Sequence, residues 1–233
     1  MTSEVQAAVA APPVASEPPL SAIPRSLFVF AIFYGGMTVL AGVLGAKQVA
    51  LGPLAVEAGI FAFLLLVALS SAVAELHGRP TADRLVRFGF IPLLTAIALT
   101  FIVIQLPTDE GMYEPAKEAF PIILGQTWRL MAAGVIAYGV SLTLNVFIFA
   151  GLARNAKRWI GARAALASTL SQIVDTLIFI TIAFYGVRPI GELILGQMVA
   201  KIVLSIIFVP PVIRGLVALG RRLDETESTS LSA

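Results

Sequence analysis

Asp175 and Lys201 are opposite charges set in stretches that are otherwise almost uncharged. Each lies well inside an apolar run, where an ionised side chain is costly and normally faces a bundle interior or a cavity. The chemistry open to such a pair is ligand binding, ion coupling, or a purely structural ion pair. Ser168, Ser171 or Gln172, Asp175 and Phe179 recur at steps of three and four, which places them on one face of a helix. Leu170, Ile173 and Thr181 fall on the opposite face. Asn145 interrupts another apolar run, Glu57 and Glu75 bracket a third, and Lys47 closes the first. Trp128, Phe179, Phe184 and Tyr185 offer aromatic faces. The structural alternative is that Asn145 and Gln172 simply join helices, a contribution of about 0.6–2 kcal/mol each. Glu57, Glu75 and Lys47, near helix ends, can equally snorkel to the interface, and His77 reads as an ordinary interfacial residue.

The elements that must position these groups follow from composition. The chain is 58% hydrophobic and 13% charged, with a mean hydropathy of +0.92, too little polar surface for a soluble domain. Apolar runs of about 20 residues match a hydrocarbon core of about 30 Å. They occur at 26–46, 54–74, 88–106, 130–152, 164–185 and 190–219. The expected fold is all-α: a polytopic membrane domain over 25–220 with six transmembrane helices, flanked by disordered tails at 1–24 and 221–233. Pro210 and Pro211 predict a kink or an early exit in the last span.

Orientation follows from the loop cations. With the N-terminus inside, eleven Lys and Arg fall on the inner side (Arg25, Arg79, Arg84, Arg87, Arg154, Lys157, Arg158, Arg163, Arg214, Arg221, Arg222). Four fall outside: Lys47, Lys117, Arg129 and Arg188. The longest outer loop, 107–127, carries Asp109, Glu110, Glu114 and Glu118. Both termini are therefore expected in the cytoplasm, and the net charge of +2 is a topology signal rather than a sign of nucleic acid. Asp175 lies thirteen residues before Arg188 and Lys201 thirteen after it, so a hairpin about Arg188 sets both at one depth, roughly 20 Å below the turn.

Other chemistries find no support. The chain has no cysteine and a single histidine, which excludes disulfides and thiolate sites and argues against a histidine metal centre. No cofactor is called for. There is no G-x-x-x-x-G-K-[ST] loop, no H-E-x-x-H and no G-x-S-x-G. Pro12, Pro13, Pro18 and Pro19 break up the start, which also lacks the basic residues of a secretory signal.

The run S-T-L-S-Q-I-V-D-T-L-I-F-I-T-I-A-F at 168–184 resembles the signature of the queuosine-precursor transporter family, also called the vitamin uptake transporter family. K-I-V-L-S-I-I-F-V-P-P at 201–211, A-E-L-H-G-R-P-T-A-D-R-L at 74–85 and W-R-L-M-A-A-G-V-I-A-Y at 128–138 are similar to further family segments. The resemblance spans nearly all of 26–219 and is most specific over 168–184. It departs at three positions: Gly42 where the family often has Asn, Ser71 where it commonly has Asp, and Asn145 where it often has Asp.

The resemblance implies a bacterial inner-membrane importer of 7-cyano-7-deazaguanine or 7-aminomethyl-7-deazaguanine, working as a secondary transporter. It implies a mid-membrane substrate site drawn from Asp175, Gln172, Asn145, Lys201, Glu75, Phe179, Ser168 and Lys47, with no catalytic residue and no metal. The expected partners are the deazapurine and the lipid bilayer; a homo-oligomer or an ATPase partner is left open. One alternative is the substrate-binding subunit of an energy-coupling-factor vitamin importer, with the small residues Gly35, Gly36, Ala41, Gly42, Gly45 and Ala46 as the partner-facing surface. An intramembrane enzyme using the carboxylate and the lysine is an alternative of another class.

Overall fold

The computed structural model describes residues 23–52, 54–125, 128–153, 158–187 and 189–231. The expected tail over 1–22, the cations Arg154 and Lys157, the turn centre Arg188 and the side chain of Trp128 lie outside the described residues. Among the described residues, seven helices and one hairpin follow in order: α1 (Arg25–Leu44), β1 (Gln48–Leu51), β2 (Leu54–Glu57), α2 (Gly59–His77), α3 (Arg79–Gln105), α4 (Glu114–Leu124), α5 (Trp128–Leu152), α6 (Ile160–Phe184) and α7 (Gly191–Leu231). Six of them, all but α4, are long and apolar enough to cross a membrane.

The bundle has two distinct ends. At one, called here the tail end, α1, α3 and α6 begin and α2, α5 and α7 end. At the other, the hairpin end, lie β1, β2 and α4. Helix α2 is central and buried over nearly all of Gly59 to Val73, because its sequence is apolar on every side. It packs against α1, α3, α5 and α7, while α5 pairs with α6 and α6 with α7. Large apolar side chains such as Ile32, Ile91, Phe101, Leu170 and Ile206 remain exposed on the outward faces, as lipid-facing surface requires.

Three parts of this architecture differ from the sequence expectation. The second span begins at Gly59 rather than 54, because 48–57 folds as an antiparallel hairpin that pairs Gln48 with Glu57 and Leu51 with Leu54. Gly52, at φ 62°, supplies the left-handed backbone that so tight a turn needs. The third helix starts at Arg79 rather than 88, since Gly78 (φ 82°) reverses the chain in one residue and Pro80 suits a first helical turn. The acidic outer loop contains α4, with Glu114 in its first turn, where a carboxylate meets the positive end of the helix.

The last helix is also longer than expected. It passes through Pro210 and Pro211 and continues to Leu231, where a disordered tail was expected from 221. Asp224 in this extension accepts hydrogen bonds from the Ser26 amide (2.9 Å) and hydroxyl (2.8 Å), tying it to the start of α1.

Close helix contacts rest on small residues. Gly89 of α3 lies directly under the ring of Tyr34 on α1, which is 1% exposed, and an added Cβ would overlap that ring. A Gly89→Leu variant is expected to lose about 1–3 kcal/mol of stability through overpacking, seen as a lower melting temperature in detergent; an unchanged midpoint would contradict this packing.

Candidate functional site

Helix α6 carries the polar face that its spacing predicts. Ser168, Ser171, Gln172, Asp175, Thr176 and Phe179 are all buried. Asp175, at 1% exposure, pairs with Lys201 of α7: Nζ donates to Oδ2 at 3.0 Å. Its other oxygen, Oδ1, accepts from the Ser141 hydroxyl of α5, also at 3.0 Å. One carboxylate thus joins α5, α6 and α7 inside the bundle. Isolated, either charge would face several kcal/mol of desolvation, and the partner and the hydroxyl together offset it.

The surroundings of this pair are polar beyond what the chain itself satisfies. Gln172 Nε2 and Oε1, Ser168 Oγ, Thr176 Oγ1, Gln197 Oε1 and Ser205 Oγ are buried with no hydrogen-bond partner among the described residues. Gln197 and Ser205 stand four residues to either side of Lys201 and are likewise buried, so α7 presents a polar line matching that of α6. Buried polar atoms are normally satisfied. A cluster that is not, beside an ion pair, suits a passage for polar groups.

A cavity of about 110 Å³ lies in the hairpin-end half, lined by α1, α3, α4, α5 and the Phe179 side of α6. Glu57, Leu93, Thr100, Met131, Tyr138 and Phe179 are among its walls. It stops short of the ion pair, which sits behind Phe179 and Tyr138. Lys201 Nζ lies 5.9 Å from the centre of the Phe179 ring, within cation–π reach. Tyr138 also walls the cavity, and its ring packs at 4.7 Å on Phe63. The two aromatics therefore separate hollow from ion pair.

The expected site residues divide accordingly. Asp175, Lys201, Gln172, Ser168 and Phe179 share the α6–α7 seam. Asn145 is buried on α5 facing α2, and its Nδ2 donates to Ser71 Oγ at 3.0 Å. Ser71 and Asn145 are two of the positions where the family resemblance lapses, and they touch each other, so two expected carboxylates give way together to a neutral hydrogen bond. Glu75 lies elsewhere: at the tail end it pairs with Arg163, and Arg163 is twelve residues, roughly 18 Å, along α6 from Asp175. Lys47 is exposed between α1 and β1 at the hairpin end.

Sequence reading missed Ser141, Tyr138, Thr176, Gln197 and Ser205. For Gln197 and Ser205 the signal was available, since the four-residue spacing about Lys201 is the same pattern that marked α6. Ser141 and Tyr138 gave no comparable signal, as small hydroxyls and aromatics are common throughout the spans.

A profile of the family described as "Putative vitamin uptake transporter" matches residues 57–215, more than half the chain and the whole α6–α7 seam. The chain belongs to the vitamin uptake transporter family. It is thus a multi-pass membrane transporter and not an enzyme. It is 27% identical over 191 residues to a Bacillus subtilis (strain 168) protein named "Probable queuosine precursor transporter", covering 77% of this chain and 80% of that one. It is 26% identical over 184 residues to the "Queuosine precursor transporter" of Escherichia coli (strain K12), covering 75% and 80%. No solved structure matches the chain.

Removing one partner of the buried pair leaves the other charge uncompensated. Lys201→Met is therefore expected to cost about 3–5 kcal/mol, while Lys201→Met with Asp175→Leu costs much less. Melting temperatures of the single and double variants in detergent check this; additive losses would show that the two groups do not stabilise one another.

Proposed function

We propose that this transporter imports a queuosine precursor, 7-cyano-7-deazaguanine or its 7-aminomethyl analogue, across the bacterial inner membrane by secondary transport, with its tail end in the cytoplasm. The names of both relatives support the substrate class. The excess of cations in the loops of the tail end supports the orientation.

The observation that carries the reading is the state of Asp175. Its carboxylate is buried and ion-paired, and lies one helical turn from an aromatic ring that faces the cavity. A guanine-like edge presents two adjacent donors, ring N–H and exocyclic amine, and a carboxylate accepts both in parallel. A base stacked on Phe179 can bring that edge to Asp175 in exchange for the Lys201 ammonium. Gln172 offers one unpartnered donor and one unpartnered acceptor for the lactam and pyrrole edges. The empty carrier keeps its carboxylate neutralised by Lys201, and the loaded carrier by substrate donors. Exchange between these pairings gives substrate a differential hold on two conformers, as any ligand-driven switch requires.

Uptake of the labelled base by cells unable to make it tests this. Asp175→Asn is expected to lower uptake about 10- to 100-fold, equivalent to about 1.5–3 kcal/mol of hydrogen bonding to a charged group. Lys201→Met is expected to fall as well. Wild-type uptake by both variants, at equal membrane abundance, would overturn the assignment.

A further inference from the structure

The tail end of the bundle is sealed by contacts that the substrate reading does not use. Glu75 Oε2 in the last turn of α2 lies 2.9 Å from Arg163 Nη1 in the first turn of α6. Arg163, 2% exposed, also donates to the Phe149 carbonyl of α5 at 3.1 and 3.3 Å and stacks on that ring at 4.2 Å. Arg214 of α7 lies flat against Gly161 of α6, so that a Cβ there would come within 2.7 Å of its Nη2. Ser26 bonds Asp224 and stands 2.7 Å from His77 Nε2, which joins α1 to α7 and α2.

Between this layer and Asp175, the α6–α7 seam changes character in steps. Next to the ion pair come the unpartnered polar atoms of Gln172, Ser168 and Ser205. A plug follows, made of Ala164 and Ala167 on α6 and Val209 and Ile213 on α7, all essentially fully buried. The ionic layer of Glu75 and Arg163 closes the end. The hairpin-end half, in contrast, holds the cavity. An arrangement hollow on one side of the central pair and closed on the other is one of the two forms that alternating access requires. The unsatisfied polar line on the closed side has no packing rationale, because alanine or leucine would fill it without stranding polar atoms.

We propose that the Glu75–Arg163 ion pair is the tail-side gate of this transporter, and that Ser168, Gln172 and Ser205 line the route a polar substrate follows from Asp175 once the gate opens. This rests on the placement of substrate beside Asp175, but its first test needs no substrate. Glu75 thereby acts on transport through Arg163 and not by touching the cargo.

The natural absence of cysteine lets a single Ser168→Cys report access to the route. In vesicles of either sidedness, a charged, membrane-impermeant thiol reagent is expected to modify it slowly from both faces. Adding Glu75→Gln is expected to accelerate modification about tenfold or more from the tail face alone, as a minor open form becomes prominent. Unchanged rates, or acceleration from the hairpin face, would overturn the gate. Because Glu75→Gln strands a buried guanidinium, a second variant keeps the native pair. Ser26→Cys with Asp224→Cys, bridged by a short bis-methanethiosulfonate that forms a mixed disulfide with each thiol and releases sulfinate, is expected to lose uptake when bridged and recover it on reduction. The reduced protein is its own folding control, and undiminished uptake in the bridged protein would sink the proposal. Failure of the deazaguanine reading would show as no uptake by any variant with the labelling pattern intact.

Discussion

One ion pair sets the geometry of the functional half of this protein. Asp175 and Lys201 are each expensive at bilayer depth, and the cost is relieved only if α6 and α7 present them to one another at the same level. That requirement fixes the register and the rotation of the two helices together. The Ser141 hydroxyl on Asp175 Oδ1 then draws in α5. At the hairpin end of α6, Arg129 of α5 donates to the carbonyls of Ile182 and Tyr185 (2.7 Å to the latter). A cation there answers the free carbonyls and negative pole of the helix terminus. The α5–α6 pair is therefore held by charge at its middle and at one end.

What was legible in the sequence was what hydropathy and helical period encode. Six spans stand out because a bilayer demands long apolar runs, and the α6 face stands out because polar residues at three- and four-residue steps are conspicuous against an apolar background. Helix continuation through charged segments was not legible. Arg79, Arg84 and Arg87 read as a loop, yet they form the first turns of α3 beyond a one-residue turn at Gly78. The second strand of the hairpin, 54–57, read as the start of a span because valine, alanine and leucine suit strand and membrane helix alike. Arg163 entered the sequence reading as one more loop cation. Its contact with Glu75 joins residues far apart in the chain, and no spacing rule reaches that far.

The site was half legible for the same reason. Its α6 residues came from one periodic segment, whereas Ser141 and Tyr138 arrive from another helix, through packing. Asn145 shows the opposite case. It was visible as a polar interruption, but its partner, Ser71 of α2, lies beyond any spacing rule, although Asn145 stands one helical turn from Ser141 on the same side of α5. Two neutral residues in contact, at positions where the family resemblance leads one to expect carboxylates, leave Asp175 as the chief fixed negative charge of the central layer. In the proposed exchange, that carboxylate and uncharged donors and acceptors would carry recognition, which suits the guanine-like edge common to both proposed substrates.

The one-residue connection between α2 and α3 has a mechanical consequence. With only Gly78 between His77 and Arg79, the facing ends of the two helices stay within about two Cα–Cα steps of each other, some 7 Å, whatever conformer the protein adopts. Piston-like sliding of α3 along α2 is thus forbidden, and pivoting about a glycine is permitted. Helix α3 can swing away from its neighbours like a door on a single pin, with its free edge at the far end, beside the hollow that it helps to wall.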